Sequence, residues 1–174
     1  MKTRVVLTSC IAVMFGLASF ANAQLKAGSP EEAAYSKLET EKNADTKLTL
    51  LLDFEKTYPQ VSPKVLANVF LMAMDIYSEK DNKAKIAEYG DKAVAKDPDN
   101  ISALLRVARN YATERTNLPK AVEYAEKAKK LVDSMRKDPV PLGQTDEQYK
   151  QWLDANAASA DQMATYAKQL QSAK

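Results

Sequence analysis

From Gln24 onward, apolar residues recur at steps of three and four and never alternate with period two over a useful length, which is the pattern of helices that each bury one stripe. Prolines at 30, 59, 63, 98, 119, 139 and 141 divide that pattern into stretches rich in Ala, Leu, Lys and Glu. Those residues are strong helix formers, and Pro belongs in a helix's first turn or just past its end. Ser29-Pro30-Glu31-Glu32 reads as an N-cap Ser, a first-turn Pro and a capping-box Glu, and Ser62-Pro63 repeats the cap-then-Pro device. Asp45, Asn82 and Asn100 are further expected caps, and Thr145 with Gln148 forms another capping box. The spacing predicts an all-α chain with helices near 30–42, 46–57, 63–80, 83–96, 101–115, 119–137 and 145–172, joined as antiparallel pairs by short turns.

The last of these helices, in the segment 141–174, differs from the others. Neither Pro nor Gly interrupts Thr145 to Ala173, and Tyr149, Trp152, Leu153, Ala157, Ala160, Met163, Ala164, Ala167 and Leu170 draw one stripe along it. Away from the stripe it is Asp, Asn, Gln, Ser and Lys, as expected of a helix that folds back to cap the preceding pair, with Trp152 buried. The other reading is the first helix of a truncated repeat, with the stripe around Met163, Tyr166 and Leu170 left exposed for self-association.

The first 23 residues have another character. Lys2 and Arg4 precede an apolar run from Val5 to Phe20, and the run ends at Ala21-Asn22-Ala23, the small-residue arrangement of a secretory leader cleaved after Ala23. The run is shorter than the roughly 20 residues a spanning helix needs, so no stable membrane anchor is expected after cleavage. A periplasmic or secreted, bacterial location follows. Cleavage also removes Cys10, the single cysteine, and leaves 23 basic against 23 acidic residues. Such a neutral chain lacks the field that attracts nucleic acid, and no nucleic-acid partner is expected.

Residue chemistry narrows the function further. The chain has no His, the commonest general base and zinc ligand, and lacks a P-loop or a G-x-G-x-x-G. The carboxylate pairs Asp97/Asp99, Asp53/Glu55, Glu31/Glu32 and Asp146/Glu147 fall at helix ends or on helix faces, where capping and solvation account for them. Asp97-Pro98-Asp99-Asn100 lacks the Gly and distant Glu of a calcium loop. No enzyme activity, cofactor or metal is expected.

The helical stretches also repeat. Tyr77 and Tyr111 are 34 residues apart, as are Leu71 and Leu105, and Glu88-Tyr89-Gly90-Asp91-Lys92-Ala93 returns 35 residues later as Glu123-Tyr124-Ala125-Glu126-Lys127-Ala128. The additional residue belongs in the turn around Thr116–Pro119, where an insertion disturbs no packing. In this period the chain resembles the tetratricopeptide repeat (TPR) family of 34-residue helix–turn–helix units. The best-matched unit, 67–100, carries Phe70, Ala73, Tyr77, Ala93 and the ending Asp97-Pro98-Asp99-Asn100, with Gly90 in a slot usually filled by an aromatic. A second unit, 101–135, matches at Leu104, Val107, Ala108, Tyr111, Ala121 and Ala128. A degenerate unit at 29–60 ends Asp53-Phe54-Glu55-Lys56-Thr57-Tyr58-Pro59.

The resemblance implies a TPR-like solenoid over 24–140, a right-handed superhelix of antiparallel helix pairs, followed by the C-terminal helix. Stacking buries stripes that a lone pair cannot, so Tyr58, Tyr77, Tyr89, Tyr111 and Tyr124 are expected in packing. It also implies a concave groove lined by the first helix of each unit, here Asn68, Leu71, Met72 and Asp75, then Ser102, Leu105, Arg106, Arg109 and Thr113. Arg106 and Arg109, at i,i+3, form an expected clamp for an acidic group of a protein or peptide partner. The function implied is an exported adaptor. The alternative is a small-molecule-binding or inactive accessory module of a cell-envelope enzyme complex, with Leu71, Met72 and Leu105 as its pocket.

Overall fold

The computed structural model describes residues 25–141 and 143–173, so the expected leader lies outside the described residues. Among the described residues the chain forms seven α-helices and no strand: α1 (Pro30–Thr40), α2 (Ala44–Thr57), α3 (Pro63–Glu79), α4 (Lys83–Lys96), α5 (Ile101–Thr113), α6 (Leu118–Met135) and α7 (Asp146–Ser172). Each start is fixed by a polar side chain that accepts an otherwise unpaired backbone N–H. Ser29 caps α1, Ser62 α3, Asn82 α4 and Asn100 α5, while Thr145 and Gln148 close a full capping box on α7. Two caps differ from the sequence reading. Asn43 rather than Asp45 caps α2, leaving Asp45 free to pair with Lys80, and Asn117 caps α6. Glu32 reaches past the cap to accept the Gly28 N–H at 2.6 Å.

The turns of the two central hairpins share one geometry. Asp81 and Arg115, 34 residues apart, both take the left-handed backbone conformation, with φ of 51° and 53°. Immediately after them the Asn82 N–H bonds the Tyr77 carbonyl (2.9 Å) and the Thr116 N–H bonds the Tyr111 carbonyl (3.1 Å), a helix-ending pattern that satisfies a terminal carbonyl. Asn82 then caps α4 directly, whereas Thr116 intervenes before Asn117. The inserted residue is therefore Thr116.

Helices α3 and α4 pack as one pair and α5 and α6 as another, and small residues permit the close approach: Ala73 and Ala93 in the first, Ala108, Ala121, Ala125 and Ala128 in the second, all buried. Gly90 serves the joint between the pairs. A Cβ there would lie 2.9 Å from the Tyr111 hydroxyl and 2.9 Å from a Val107 methyl, so the ring of Tyr111 fills the space that the expected aromatic would have taken. No large hydrophobic among the described residues exceeds the 38% exposure of Leu52.

Helix α7 runs antiparallel along α6. Arg136 pairs with Asp154, Lys129 with Asp161 and Glu126 with Lys168, so ion pairs mark its whole length, and the Tyr149 hydroxyl donates to the Met135 carbonyl at 3.2 Å. Tyr149, Leu153, Ala160, Met163, Ala164 and Ala167 are buried beneath it. Trp152 is only half-buried, its ring stacked on Tyr149 with centroids 6.3 Å apart, which corrects the expectation of a fully buried Trp152. On a wheel of 100° per residue it sits beside the buried stripe rather than within it. Trp152→Ala should accordingly cost about 1–2 kcal/mol in a denaturant titration, below the 3–5 kcal/mol of a fully buried large side chain.

Candidate functional site

The residues expected to line a groove fall into three groups. Leu71 and Leu105 are 3% and 7% exposed and belong to the continuous core, so they offer neither a groove floor nor a pocket wall. The reason is that α5 is covered by α3, α4, α6 and α7 at once, and only a narrow strip of its circumference is left over. Met72 is half-buried against the same core, and Ser102 is half-buried at the start of α5. Arg109 and Thr113 are exposed.

The third group joins helices. Asp75 of α3 and Arg106 of α5, both expected in the groove, pair with each other: Arg106 Nε donates to Asp75 Oδ1 at 3.3 Å and a terminal guanidinium nitrogen donates to Oδ2. Beside them Ser78 donates to Glu114 at 3.4 Å, a second α3–α5 link. Asn68 bonds the hydroxyl of Tyr35, a buried residue of α1. Burial first and then Glu39 push the Tyr35 hydroxyl up to about 12, against the opposing effects of Asn68 and Arg106. Desolvation, followed by the neighbouring Arg109, pulls the Arg106 guanidinium down from its ordinary value.

Of the two arginines expected to form a clamp, the structure engages one within the fold. Arg106 is spent inside the protein, while Arg109 makes no ion pair among the described residues. The pairing was legible in principle, because 31 residues separate Asp75 from Arg106, one 34-residue period less three, which places them a turn apart on matching faces. On α7, Asp154, Asp161 and Lys168 pair with α6, and on the opposite side stand the half-buried Trp152, Tyr166 and Leu170, which the sequence reading places in or beside the apolar stripe. Asn110 and Asn156 each donate their Nδ2 to the carbonyl four residues back, at 3.3 and 2.8 Å, which holds each side chain against its own helix.

A second polar cluster lies where α4, α5 and α6 meet. The Asp91 carboxylate accepts from the hydroxyls of Tyr111 (2.8 Å) and Tyr124 (3.1 Å) and from Lys120 Nζ. The Tyr111 hydroxyl is equally close to the Ala87 carbonyl, so its one proton is shared between two acceptors. Burial alone would raise the Asp91 carboxyl, but Lys120, Tyr111 and Tyr124 outweigh it and hold it below its ordinary value. Burial and then Asp91 push both phenols up. The carboxylate is held charged and the phenols neutral, and their hydrogen bonds tie α4, α5 and α6 together. The sign for stability follows: a depressed folded pKa gives a contribution present above the unfolded value near 4 and lost as pH falls through the folded value. Acid titrations of thermal stability should show a smaller loss below pH 4 for Asp91→Asn than for the parent.

On α2 and α4, Glu55 receives Lys92 at 3.0 Å and the Tyr89 hydroxyl at 3.4 Å, and the Lys92 ammonium sits 4.5 Å from the Tyr89 ring centroid. Desolvation opposes the charge on Lys92, but the pairing with Glu55 leaves its pKa raised. The Asp97-Pro98-Asp99-Asn100 carboxylates are likewise engaged: Asp97 accepts from the Asn100 side chain at 2.9 Å and Asp99 pairs with Lys127 at 3.1 Å. Among the described residues no group of three or more acidic, His or Cys side chains could hold a metal ion, and no helix is long and apolar enough to cross a membrane. No protein-family model, curated protein or solved structure matches the chain.

Proposed function

We propose that this chain is an exported TPR-like scaffold that binds a protein or peptide through the face shared by α3, α5 and α7. The observation that carries the reading is the contact of these alternate helices in order, α3 with α5 and α5 with α7, leaving Arg109 and Thr113 open on the strip between them. The Asp75–Arg106 pair sets the spacing of α3 and α5, and the half-buried Met72 adds an apolar contact on that face. A partner's acidic side chain would meet Arg109 as a charge-assisted hydrogen bond, and the surrounding helices supply a rigid surface at little conformational cost. The proposed right-handed superhelix rests on the 34-residue recurrence of Tyr77/Tyr111 and of the left-handed turn residues Asp81/Arg115. Export rests on Lys2, Arg4, the apolar run and Ala21-Asn22-Ala23, with cleavage after Ala23.

Affinity capture from a bacterial envelope extract, with the chain from Gln24 and its Arg109→Glu variant as paired baits, tests this. A partner retained by the parent should be lost by the variant at unchanged thermal stability. Arg106→Ala should instead lower stability by about 1 kcal/mol, since it opens a half-exposed helix-to-helix pair. Identical partner sets on the parent and Arg109→Glu would overturn the assignment of this face.

A further inference from the structure

Helix α1 is held differently from the rest of the fold. Two of its eleven residues, Tyr35 and Leu38, are buried, against nine of seventeen in α3. It is shorter than the ~12–15 residues an isolated helix needs in water, so it is helical because it is docked. Its packing on α2 is incomplete. A cleft of about 390 Å³ opens between Ala33, Ala34 and Lys37 on one side and Leu50 and Asp53 on the other, while the rings of Tyr35 and Phe54 meet edge-on at 5.9 Å. By contrast, α2 is pinned to its neighbours by the pairs Asp45 with Lys80 and Glu55 with Lys92. The docking place gives this loose hold a consequence. The Tyr35 hydroxyl is hydrogen-bonded to Asn68 of α3, and the Arg106 guanidinium of α5 is close enough to act on it. Asn68 and Arg106 are both positions expected to line the groove, so α1 lies at the α3 end of the α3/α5/α7 face, while Arg109 and Thr113 stay open beyond it.

We propose that α1 is an intramolecular ligand: the seat at Phe54 and Asn68 binds an amphipathic helix that presents a tyrosine and a leucine three residues apart, and α1 fills it until such a helix from another chain displaces it. The occupant in place defines the chemistry. Its tyrosine ring meets Phe54 edge-on and its hydroxyl bonds Asn68, while the leucine one turn on is buried in the core. Undocking is a local opening of a short, singly layered element, and it leaves α3 to α7 packed on one another. The gain in open surface on displacement rests on the reading of α3, α5 and α7 as the binding face, whereas the seat stands without it.

Amide hydrogen exchange on the chain from Gln24 is the first measurement. Amides of α1 should exchange through a local opening, faster than those of α3 and α5. Tyr35→Phe keeps the ring and removes the Asn68 bond, and it should speed exchange in α1 by about fivefold, the scale of one net hydrogen bond, with α5 unchanged. For the second, a protease site inserted between Glu41 and Lys42 allows α1 to be cut from the folded chain. The cut chain should exchange its own fragment for a fluorescent peptide of residues 24–42 with its helix content otherwise retained by circular dichroism, and the uncut chain, whose α1 is tethered, should take the peptide up far more weakly. Tyr35→Ala or Leu38→Ala in that peptide should weaken uptake by about tenfold or more, as expected for one buried side chain. Any of three results overturns the proposal: α1 amides that exchange no faster than those of α3, a cut chain that unfolds when the fragment leaves or never exchanges it, or Ala peptides that bind as well as the parent. Neither measurement involves Arg109, so such a result would leave the assignment of the α3/α5/α7 face to its own test.

Discussion

Tyr111→Ala should lower the unfolding free energy by about 3–5 kcal/mol, the cost of truncating a large, fully buried side chain, and the thermal midpoint by about 6–20 °C. The residue is wholly inaccessible and fills the space that Gly90 leaves on the neighbouring helix. Gly90 cannot refill that space, so the cavity would persist. Tyr111→Phe isolates the hydroxyl: it keeps the ring and removes one of the three donors to Asp91, for an expected loss of about 1–2 kcal/mol, since the carboxylate is partly exposed and retains Lys120 and Tyr124. Chemical denaturation of both variants checks the pair. Equal losses would mean that the hydrogen bond, not the packing, carries the effect.

Deleting residues 145–174 should be still more damaging. Helix α7 buries Tyr149, Leu153 and Met163 and packs along α6, whose Ala125, Ala128 and Val132 are inaccessible in the intact protein. Leu153→Ala or Met163→Ala alone should cost about 2–5 kcal/mol, and loss of the whole helix more than either. Its removal also uncovers a contiguous apolar stripe, so the shortened chain should self-associate. Sedimentation analysis with thermal melts is decisive here: a monomer of undiminished stability would mean that α7 contributes nothing to the fold.

Most of the helix layout was legible in the sequence because its signals are local. Proline positions and Ser, Asn and Thr caps depend on residues three or four apart, and they placed all seven helices to within about two residues. What escaped depends on residues far apart in sequence. Asp45 reads as well as Asn43 for a cap until Lys80, from the next pair, claims its carboxylate. The spacing of Arg106 and Arg109 is right for a clamp, yet Asp75 lies 31 residues away and consumes one of them. Leu71 and Leu105 follow the period of groove positions, but periodicity alone does not disclose that α7 closes over α5.

The glycine at the joint between the two central pairs also fixes the order in which they can occur. In the six-residue recurrence, position 90 corresponds to Ala125, so one of the two differences between the segments falls where the following helix inserts Tyr111. A chain lengthened by duplicating 67–100 would offer each new neighbour a glycine-sized socket. One lengthened by duplicating 101–135 would set Tyr111 against a methyl group placed about 2.9 Å from its hydroxyl oxygen, closer than carbon and oxygen tolerate. Growth by copying is therefore directional in this molecule: the 67–100 segment can be multiplied, whereas 101–135 carries Ala125 at the socket position and has α7 lying against its second helix.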